Sequence, residues 1–561
     1  MKPTPTEQAG PGPRPPAALE ILAIDWQRIQ VVLDLRPQGS PAVDPAALRL
    51  ARGRGQGAVM PPTAWHREGD RVLLRFNVMQ GPGQSPLALG RWTLVTGDGG
   101  PEPGRGVPVE VGAGVDLARA GRRFRIEAHE LAFVPRVDRA TRSFAIEVGR
   151  HRVGQPTGEG PGRLARFRER MRRAIFRAAV RVLRPATRRT GRRILFTSES
   201  RAELGGNLKL VHDRILERGL DREYEIETLL WPSIVVRRSI RDRLRLPWVL
   251  ARADTIVIDD FQPVIYALEA SDSRIVQLWH AVGAFKTVGY SRVGKVGGPN
   301  PYGHAHKNYS LVTVSAREDI PVYAEAFGIP EERVVATGIP RTDRFFDPAY
   351  GEHARALALA EFPEARGRVT ILFAPTFRGN GARTATYDLG RLDMAALHAL
   401  CVEREAVCIV RMHPFVREPL GIPEPYRDRI LDGQRSPIDV NDLLFAVDLL
   451  VTDYSSIVYE FATLGRPMLF YAWDLEEYAA GRDTYEPYET FVPGRIVRTF
   501  PALLEAIRRE DFEIEKVPPF AERHFEHRDG RSTDRVVDLV LGGRPPALDP
   551  AGEPPGAVAR M

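Results

Sequence analysis

The chain has 561 residues, of which 43% are hydrophobic and 27% charged, with 47 prolines and two cysteines. That length allows about three to five domains, and the composition excludes collagen, a coiled coil and wholesale disorder. The cysteines, Cys401 and Cys408, share one apolar stretch, which rules out a disulfide scaffold and points to a reducing cytoplasm. The net charge of +7 is concentrated: Arg163–Arg193 holds 13 Arg and one Glu, leaving the remainder of the chain acidic. Such a stripe indicates a local contact with an anionic surface rather than a nucleic-acid coat.

Residues 1–18, rich in proline, read as a disordered leader without the apolar core of a secretory signal. Residues 19–152 carry short period-two runs such as LEILAIDW, IQVVLDL, RVLLRFNV, RWTLV and SFAIEV, bounded by Gly, Pro or Asp. These predict an antiparallel β-domain of sandwich type. His129-Glu130 fails as a zincin motif because Phe133 stands where a second His is needed. Residues 153–191 form a linker and a basic amphipathic helix. In that helix Leu164, Phe167, Met171, Ile175, Ala178 and Val182 share one face, and Pro185 ends the pattern. It is too charged to span a bilayer, and no run in the chain approaches the roughly 18 apolar residues of a span.

From residue 192 the pattern becomes α/β. Apolar strands ILFTS, YEIETLL, TIVIDD, RIVQLW, SLVTVS and RVVATG come first, then VTILFA, AVCIVRM, DLLVTD and RPMLFYA. Buried strands between helices imply parallel sheets, so 192–345 and 346–540 are expected to be two Rossmann-like domains around a cleft. Residues 541–561 read as a disordered tail.

Familiar catalytic signatures are absent. There is no GxGxxG after a strand, no GxSxG elbow and no Asp-x-Asp, and Phe285 spoils a P-loop ending at Lys286-Thr287. The chemistry-bearing residues instead fall at strand ends. VTDYSS, with Asp453, Ser455 and Ser456, opens a helix closed by Gly465, and two serines capping that helix suit a phosphate. FAPTFR supplies Thr376 and Arg378, and RMHPF supplies His413. A hydroxyl pair, an Arg and a His at adjacent strand ends can hold a diphosphate without metal. QLWHAVGAFKTVGYS supplies His280, suited to general-base work, and Lys286. A hydrogen-bonded structural His is the competing reading there. Asp259-Asp260 are the acidic option in this half, or a cap. Arg341 and Asp343, in TGIPRTDRFF, line the cleft or pair with one another. His304 and His306 read as exposed loop residues without a third metal ligand, and YAWDLEEYAAGRDTYEPYE as a loop over the site.

With QLWHAVGAFKTVGY, VVATGIPRTDRFF, ILFAPTFRGN, RMHPF and NDLLFAVDLLVTDYSSIVYEFATLGRPMLFYAWDLEEY in this order, the chain resembles the CDP-glycerol glycerophosphotransferase family of teichoic acid polymerases and primases. The resemblance covers roughly residues 192–540 and leaves the β-domain outside it. It implies a glycosyltransferase-B-like fold and transfer of a polyol phosphate, glycerol phosphate foremost, from a CDP-polyol to a hydroxyl of a lipid-linked cell-wall polymer, releasing CMP. It implies a place on the cytoplasmic face of the membrane, to which the Arg163–Arg193 stripe is expected to bind peripherally; no cofactor is expected, and the absence of any Asp-x-Asp argues against a metal in the donor site. Carried over by motif, His280 would be the base and His413 would contact the donor diphosphate. Thr376, Arg378, Ser455 and Ser456 would bind phosphates, Asp453 would order its turn, and Glu460 would reach the donor. WHAVGAFKTVG departs from the family's more usual WHGTPLKK, which bears on the acceptor. A nucleotide-sugar glycosyltransferase of the same fold and a non-catalytic surface-binding protein are the alternatives.

Overall fold

A computed structural model describes residues 18–542, apart from 39–42, 54–57, 98–105, 139, 154–162, 188, 234–235, 237, 270–272, 296, 380–383 and 482. The expected leader, tail and most of the Gly/Pro linker therefore lie outside the described residues. The chain forms two compact units. One comprises residues 1–174, 288–307 and 325–329; the other comprises 175–287, 308–324 and 330–561.

In the first unit, two sheets share one core. The smaller sheet runs Ala64–Glu68, Arg71–Asn77, Gln30–Pro37, Leu19–Gln27, Val109–Val111. The larger runs Val59–Met60, Leu48–Arg52, Gly90–Thr96, Phe144–Arg152, His129–Val137, Arg122–Ile126. Period-two alternation sends Ile21, Leu33, Leu74 and Phe76 from one sheet, and Leu50, Trp92, Phe133 and Ile146 from the other, into that core. One pairing, Leu19–Gln27 with Val109–Val111, is parallel in an otherwise antiparallel unit. Residues 288–307 and 325–329 pack here: Tyr290 and Val293 join the same core, and buried Glu325 accepts hydrogen bonds from Arg28 Nε at 2.6 Å and Ser291 Oγ at 2.7 Å. His306 is buried, not exposed as its polar loop sequence implied, and burial pushes its imidazole down to about 3.

The second unit holds two six-stranded parallel sheets. In strand order the first reads Glu225–Leu230, Arg193–Ser198, Thr255–Ile258, Arg274–Gln277, Leu311–Val314, Val334–Ala336. The second reads Ile430–Asp432, Ala406–Val410, Val369–Phe373, Leu449–Thr452, Met468–Tyr471, Arg495–Val497. All ten expected strands are present; the sequence reading omits Ile430–Asp432 and Arg495–Val497, the two edge strands of the second sheet. Each sheet reverses its winding once, beside Arg193–Ser198 in the first and beside Val369–Phe373 in the second. Open α/β sheets present their ligand crevices at the carboxyl ends of strands at such points.

One core cluster joins loops of the first half, through Val282, Phe285 and Ile339, to the second sheet and its helices, through Leu372, Leu450, Leu444, Tyr459 and Phe491. Phe285 stacks on Phe491 with ring centroids 4.4 Å apart. The last helix, Ser532–Val540, returns to the first sheet and buries Val536, Val537 and Val540 against Ile194 and Phe196.

The basic segment is helical over Arg163–Leu183. Val180 is buried, whereas Leu164, Phe167, Met171, Ile175 and Val182 are 45–75% exposed, so the apolar stripe read from sequence faces away from the protein. No helix among the described residues is long and apolar enough to cross a membrane.

Candidate active site

The site is built at the carboxyl ends of the two parallel sheets. In the first sheet, strand Thr255–Ile258 ends in Asp259-Asp260, and strand Arg274–Gln277 leads through Leu278 and Trp279 to His280. The His280 side chain is 49% exposed. Its Nδ1 lies 3.4 Å from the Asp259 carbonyl oxygen and 3.6 Å from Asp260 Oδ1. Both neighbours are acceptors, which assigns the hydrogen to Nδ1 and leaves the Nε2 lone pair available. Burial holds the imidazole below its ordinary value; Asp260 and the Asp259 carbonyl oppose that, while Arg341 and Arg201 add to it. A neutral, accepting imidazole at neutral pH is what a general base requires.

The loop after His280 is anchored to the second half. Gly283 has φ +62°, and a Cβ there would lie 2.3 Å from the Tyr459 ring, so only glycine fits. Tyr323 Oη donates to the Gly283 carbonyl at 2.6 Å. Lys286 forms an isolated bridge with Thr484, lies 5.6 Å from the Tyr478 ring centroid, and its charge depresses His413.

In the second sheet, the ends of Val369–Phe373 and Leu449–Thr452 meet through Asp453. Its buried carboxylate accepts from the Thr376 and Tyr454 amides at 2.7 and 2.6 Å and from Arg378 Nη1 at 2.9 Å. Arg378 also makes a bidentate pair with Asp474, at 2.6 and 2.8 Å, and donates to the Thr376 carbonyl at 2.6 Å. Two carboxylates thus meet this guanidinium, and the rings of Tyr454, Trp473, Tyr478 and Tyr387 surround it at 5.2–5.7 Å. Its charge is largely matched inside the protein, so its geometric role is to tie three strand ends together.

His413 follows strand Ala406–Val410 and is half-buried between Phe377 and Phe415, with centroids 4.7 and 4.6 Å away. The Phe415 amide donates to His413 Nδ1 at 3.1 Å. An accepting Nδ1 is unprotonated, so the hydrogen sits on Nε2, which becomes a donor. Burial and the charge of Lys286 keep this imidazole below its ordinary value too.

The remaining expected residues divide. The helix after VTDYSS runs Ile457–Ala462 and is short; Ser456 occupies its N-cap position without a side-chain capping bond, and Ser455 Oγ accepts from the Ile457 amide at 3.4 Å. The two-serine cap read from sequence is therefore replaced by one long bond, and the Ser456 hydroxyl is exposed. Glu460 is buried and pairs with Arg341 from the first half. Asp343 accepts from the amides of Ser532 and Thr533 at 2.8 and 2.7 Å, which makes it the cap of the last helix. Asp474, Tyr478 and Tyr488 lie in 471–489, the segment read as a loop over the site, and Tyr454 in VTDYSS, but sequence reasoning gave none of the four an individual role. Tyr454 and Tyr478 stack at 3.6 Å, and Tyr488 Oη donates to the Asp453 carbonyl at 3.1 Å. The available signals were the acidic and aromatic composition of 471–489 and the position of Asp474 just beyond the strand Met468–Tyr471. Among the described residues no group of three metal-ligating side chains occurs.

Two six-stranded parallel sheets, each with a histidine just past a strand end, make up a glycosyltransferase-B-like architecture. The fold matches a solved structure of the wall teichoic acid polymerase TagF with a TM-score of 0.52 at 18% identity, over 68% of this chain and 97% of that one. Residues 179–542 match the family described as CDP-Glycerol:Poly(glycerophosphate) glycerophosphotransferase. The chain is 48% identical over 364 residues to the teichoic acid ribitol-phosphate polymerase TarK of Staphylococcus aureus, covering 65% of this chain and 71% of that protein. It is 46% identical to TarL of the same organism, covering 66% of each, and 38% identical to the poly(ribitol-phosphate) polymerase of Bacillus spizizenii, covering 67% of this chain and 60% of that protein. The chain belongs to the CDP-glycerol:poly(glycerophosphate) glycerophosphotransferase family, and is an enzyme of the polyol-phosphate transferase type. The reading as a non-catalytic surface-binding protein is set aside.

Proposed function

We propose that this enzyme transfers ribitol phosphate from CDP-ribitol to a hydroxyl of a lipid-linked teichoic acid and releases CMP. One observation carries the choice of polyol. The relatives named for ribitol phosphate are 36–48% identical to this chain, and those named for glycerol phosphate 25–29%. Ribitol therefore replaces the glycerol donor expected from the motifs alone.

In the reaction, the acceptor oxygen attacks the phosphorus that bears ribitol, the anhydride bond to CMP breaks, and CMP departs with the bonding pair. His280 Nε2 takes the acceptor proton. His413 Nε2–H donates to the diphosphate, where negative charge accumulates as the bond breaks. Ser455 and Ser456 bind phosphate oxygens, whereas the Thr376 hydroxyl is buried and the Thr376 amide is spent on Asp453. Asp453 and Arg378 hold the strand ends on which those groups sit, and Lys286 supplies positive charge toward the donor. Arg341 and Glu460 hold the two halves in register. The test is CMP release from a panel of CDP-ribitol, CDP-glycerol and UDP-sugars. Turnover of CDP-glycerol alone would overturn the polyol, and turnover of a UDP-sugar alone would overturn the reaction.

The enzyme works at the cytoplasmic face of the membrane. Helix Arg163–Leu183 turns its apolar stripe outward, and thirteen Arg stand in Arg163–Arg193. A second helix, Ile240–Arg252, exposes Ile240, Leu244 and Trp248 at four-residue steps, and its Arg241 and Arg243 have no ion pair among the described residues. Lipid contact of apolar stripes flanked by Arg gains about 1 kcal/mol per cation near anionic headgroups. Flotation with anionic and with neutral liposomes measures it; equal binding to both, or to neither, refutes an electrostatic anchor.

A further inference from the structure

His280 is held by an arrangement that the family motif does not mention. Trp279, immediately before it, has φ +52°, a conformation that side chains other than glycine rarely adopt. Two buried amide side chains enforce it. Gln277 Oε1 accepts from the Trp279 amide at 2.8 Å, and Asn207 Nδ2 donates to the Trp279 carbonyl at 2.8 Å. The same Gln277 donates from Nε2 to the Asp260 carbonyl at 3.2 Å. One side chain therefore fixes the His280 loop and the Asp260 strand end in register. The Asp260 carboxylate is fixed in turn, because its Oδ1 accepts from the Phe261 amide at 2.6 Å. The Trp279 ring, 4.4 Å from the imidazole centroid, restricts the plane of the base.

We propose that Asp260 is the positioning residue of the base, orienting His280 through Nδ1 and holding the charge that the imidazole gains with the acceptor proton. The proposal rests on the reading of His280 as the base. Its neighbour Asp259 is not available for this: it is 1% exposed and spent on Arg201 Nη2 at 3.0 Å, with burial raising its carboxyl to about 7. Asp260 is 32% exposed and lies 3.6 Å from Nδ1, a separation that shortens to a hydrogen bond when the ring becomes cationic. The charged groups facing His280 are Asp260, Asp259, Arg201 and Arg341. Both arginines disfavour an imidazolium, and Asp259 is already paired, so Asp260 is the carboxylate left to offset them. The wiring has the logic of a triad, in which a carboxylate selects the tautomer and steadies the protonated ring.

The experiment uses the full chain and whichever CDP-polyol the wild type turns over. Asp260→Asn, Asp260→Ser, Asp260→Glu and His280→Ala are compared, together with the Asp260→Asn/His280→Ala double variant. Asp260→Asn and Asp260→Ser are expected to lower kcat by roughly 10²–10³-fold, with KM for the donor within about twofold. Asp260→Glu is expected to restore part of the rate. The acid limb of kcat/KM is expected to move to lower pH in Asp260→Ser, because the carboxylate that favours the imidazolium is gone. That shift is independent of how much protein is folded, and a structural role would not produce it. The double variant is expected to be no slower than His280→Ala. A wild-type rate in Asp260→Asn, an unshifted acid limb, or an additive double variant overturns the proposal while leaving the base in place. A wild-type rate in His280→Ala overturns the base reading itself, and with it this proposal.

Discussion

His280 and His413 occupy equivalent places, each just past the carboxyl end of a parallel strand, yet their imidazoles are wired in opposite senses. His280 Nδ1 faces two oxygen acceptors, the Asp259 carbonyl and Asp260 Oδ1. His413 Nδ1 receives the Phe415 amide. The first ring therefore offers a lone pair at Nε2 and the second offers a proton there. Their surroundings differ in the same direction. His280 has the Asp260 carboxylate behind it, placed for a positive charge, whereas His413 packs against two phenyl rings with Lys286 opposing its protonation. In the proposed reaction the same side chain serves as proton acceptor in one half and hydrogen-bond donor in the other, and the partner of Nδ1 decides which.

The largest effect that would break this comparison is on turnover. His280→Ala is expected to lower kcat by roughly 10²–10⁴-fold while calorimetric titration shows CDP-polyol affinity little changed. For His413→Ala the expectation is weaker donor binding, by roughly 10–100-fold, with turnover falling alongside, since a hydrogen bond to an anionic oxygen contributes about 1.5–3 kcal/mol. A reversal, with donor binding lost in His280→Ala and kept in His413→Ala, would mean that the two tautomers have been assigned the wrong tasks. Each variant counts only with an unchanged melting temperature.

A smaller effect concerns the joint between the halves. Gly283→Ala places a methyl 2.3 Å from the Tyr459 ring at a φ of +62°. It is expected to destabilise the unit by about 1–3 kcal/mol, through overpacking and backbone strain, and to lower the thermal midpoint accordingly. A midpoint equal to the wild type would show that the loop carrying His280 is not held this way.

The pH profile sharpens the assignment further. Burial lowers His280 from its ordinary value of 6.5, so the base stays neutral into mildly acidic solution. The acid limb of kcat/KM is accordingly expected below pH 6.5, and a limb above it would show that the imidazolium is favoured in the free enzyme. The smallest expected effect is that of EDTA, which should leave the rate within about twofold, because the groups proposed to contact phosphate are serine hydroxyls, His413 and Lys286. Loss of activity in EDTA with recovery on adding a divalent cation would replace that account.

Much of this architecture was legible before any coordinates. Alternating runs in 19–152 and continuous apolar runs after 192 report directly on one-sided and two-sided burial, so the β-rich unit and ten of the twelve described parallel strands could be read. Strand ends then pointed to His280, His413, Thr376 and Asp453. What sequence could not reveal was pairing. Arg378 read as a phosphate ligand, yet Asp453 and Asp474, 75 and 96 residues away, meet its guanidinium. Asp343 read as a cleft residue, yet it caps a helix 190 residues on. His306 read as exposed, and Glu460 as a donor contact, for the same reason: the partner or the cover comes from a distant segment.

The sequence by itself determined which residues stand at the carboxyl ends of strands, because hydrophobic period and turn chemistry are local properties. Only the tertiary structure decided what each of those residues touches. The tautomer of each histidine, the cancellation of Arg378 by two carboxylates, and the outward face of the Arg163–Leu183 helix all depend on groups far along the chain. Hydrogen-bond partnership between distant segments is set by three-dimensional packing, which the local pattern of the sequence does not encode.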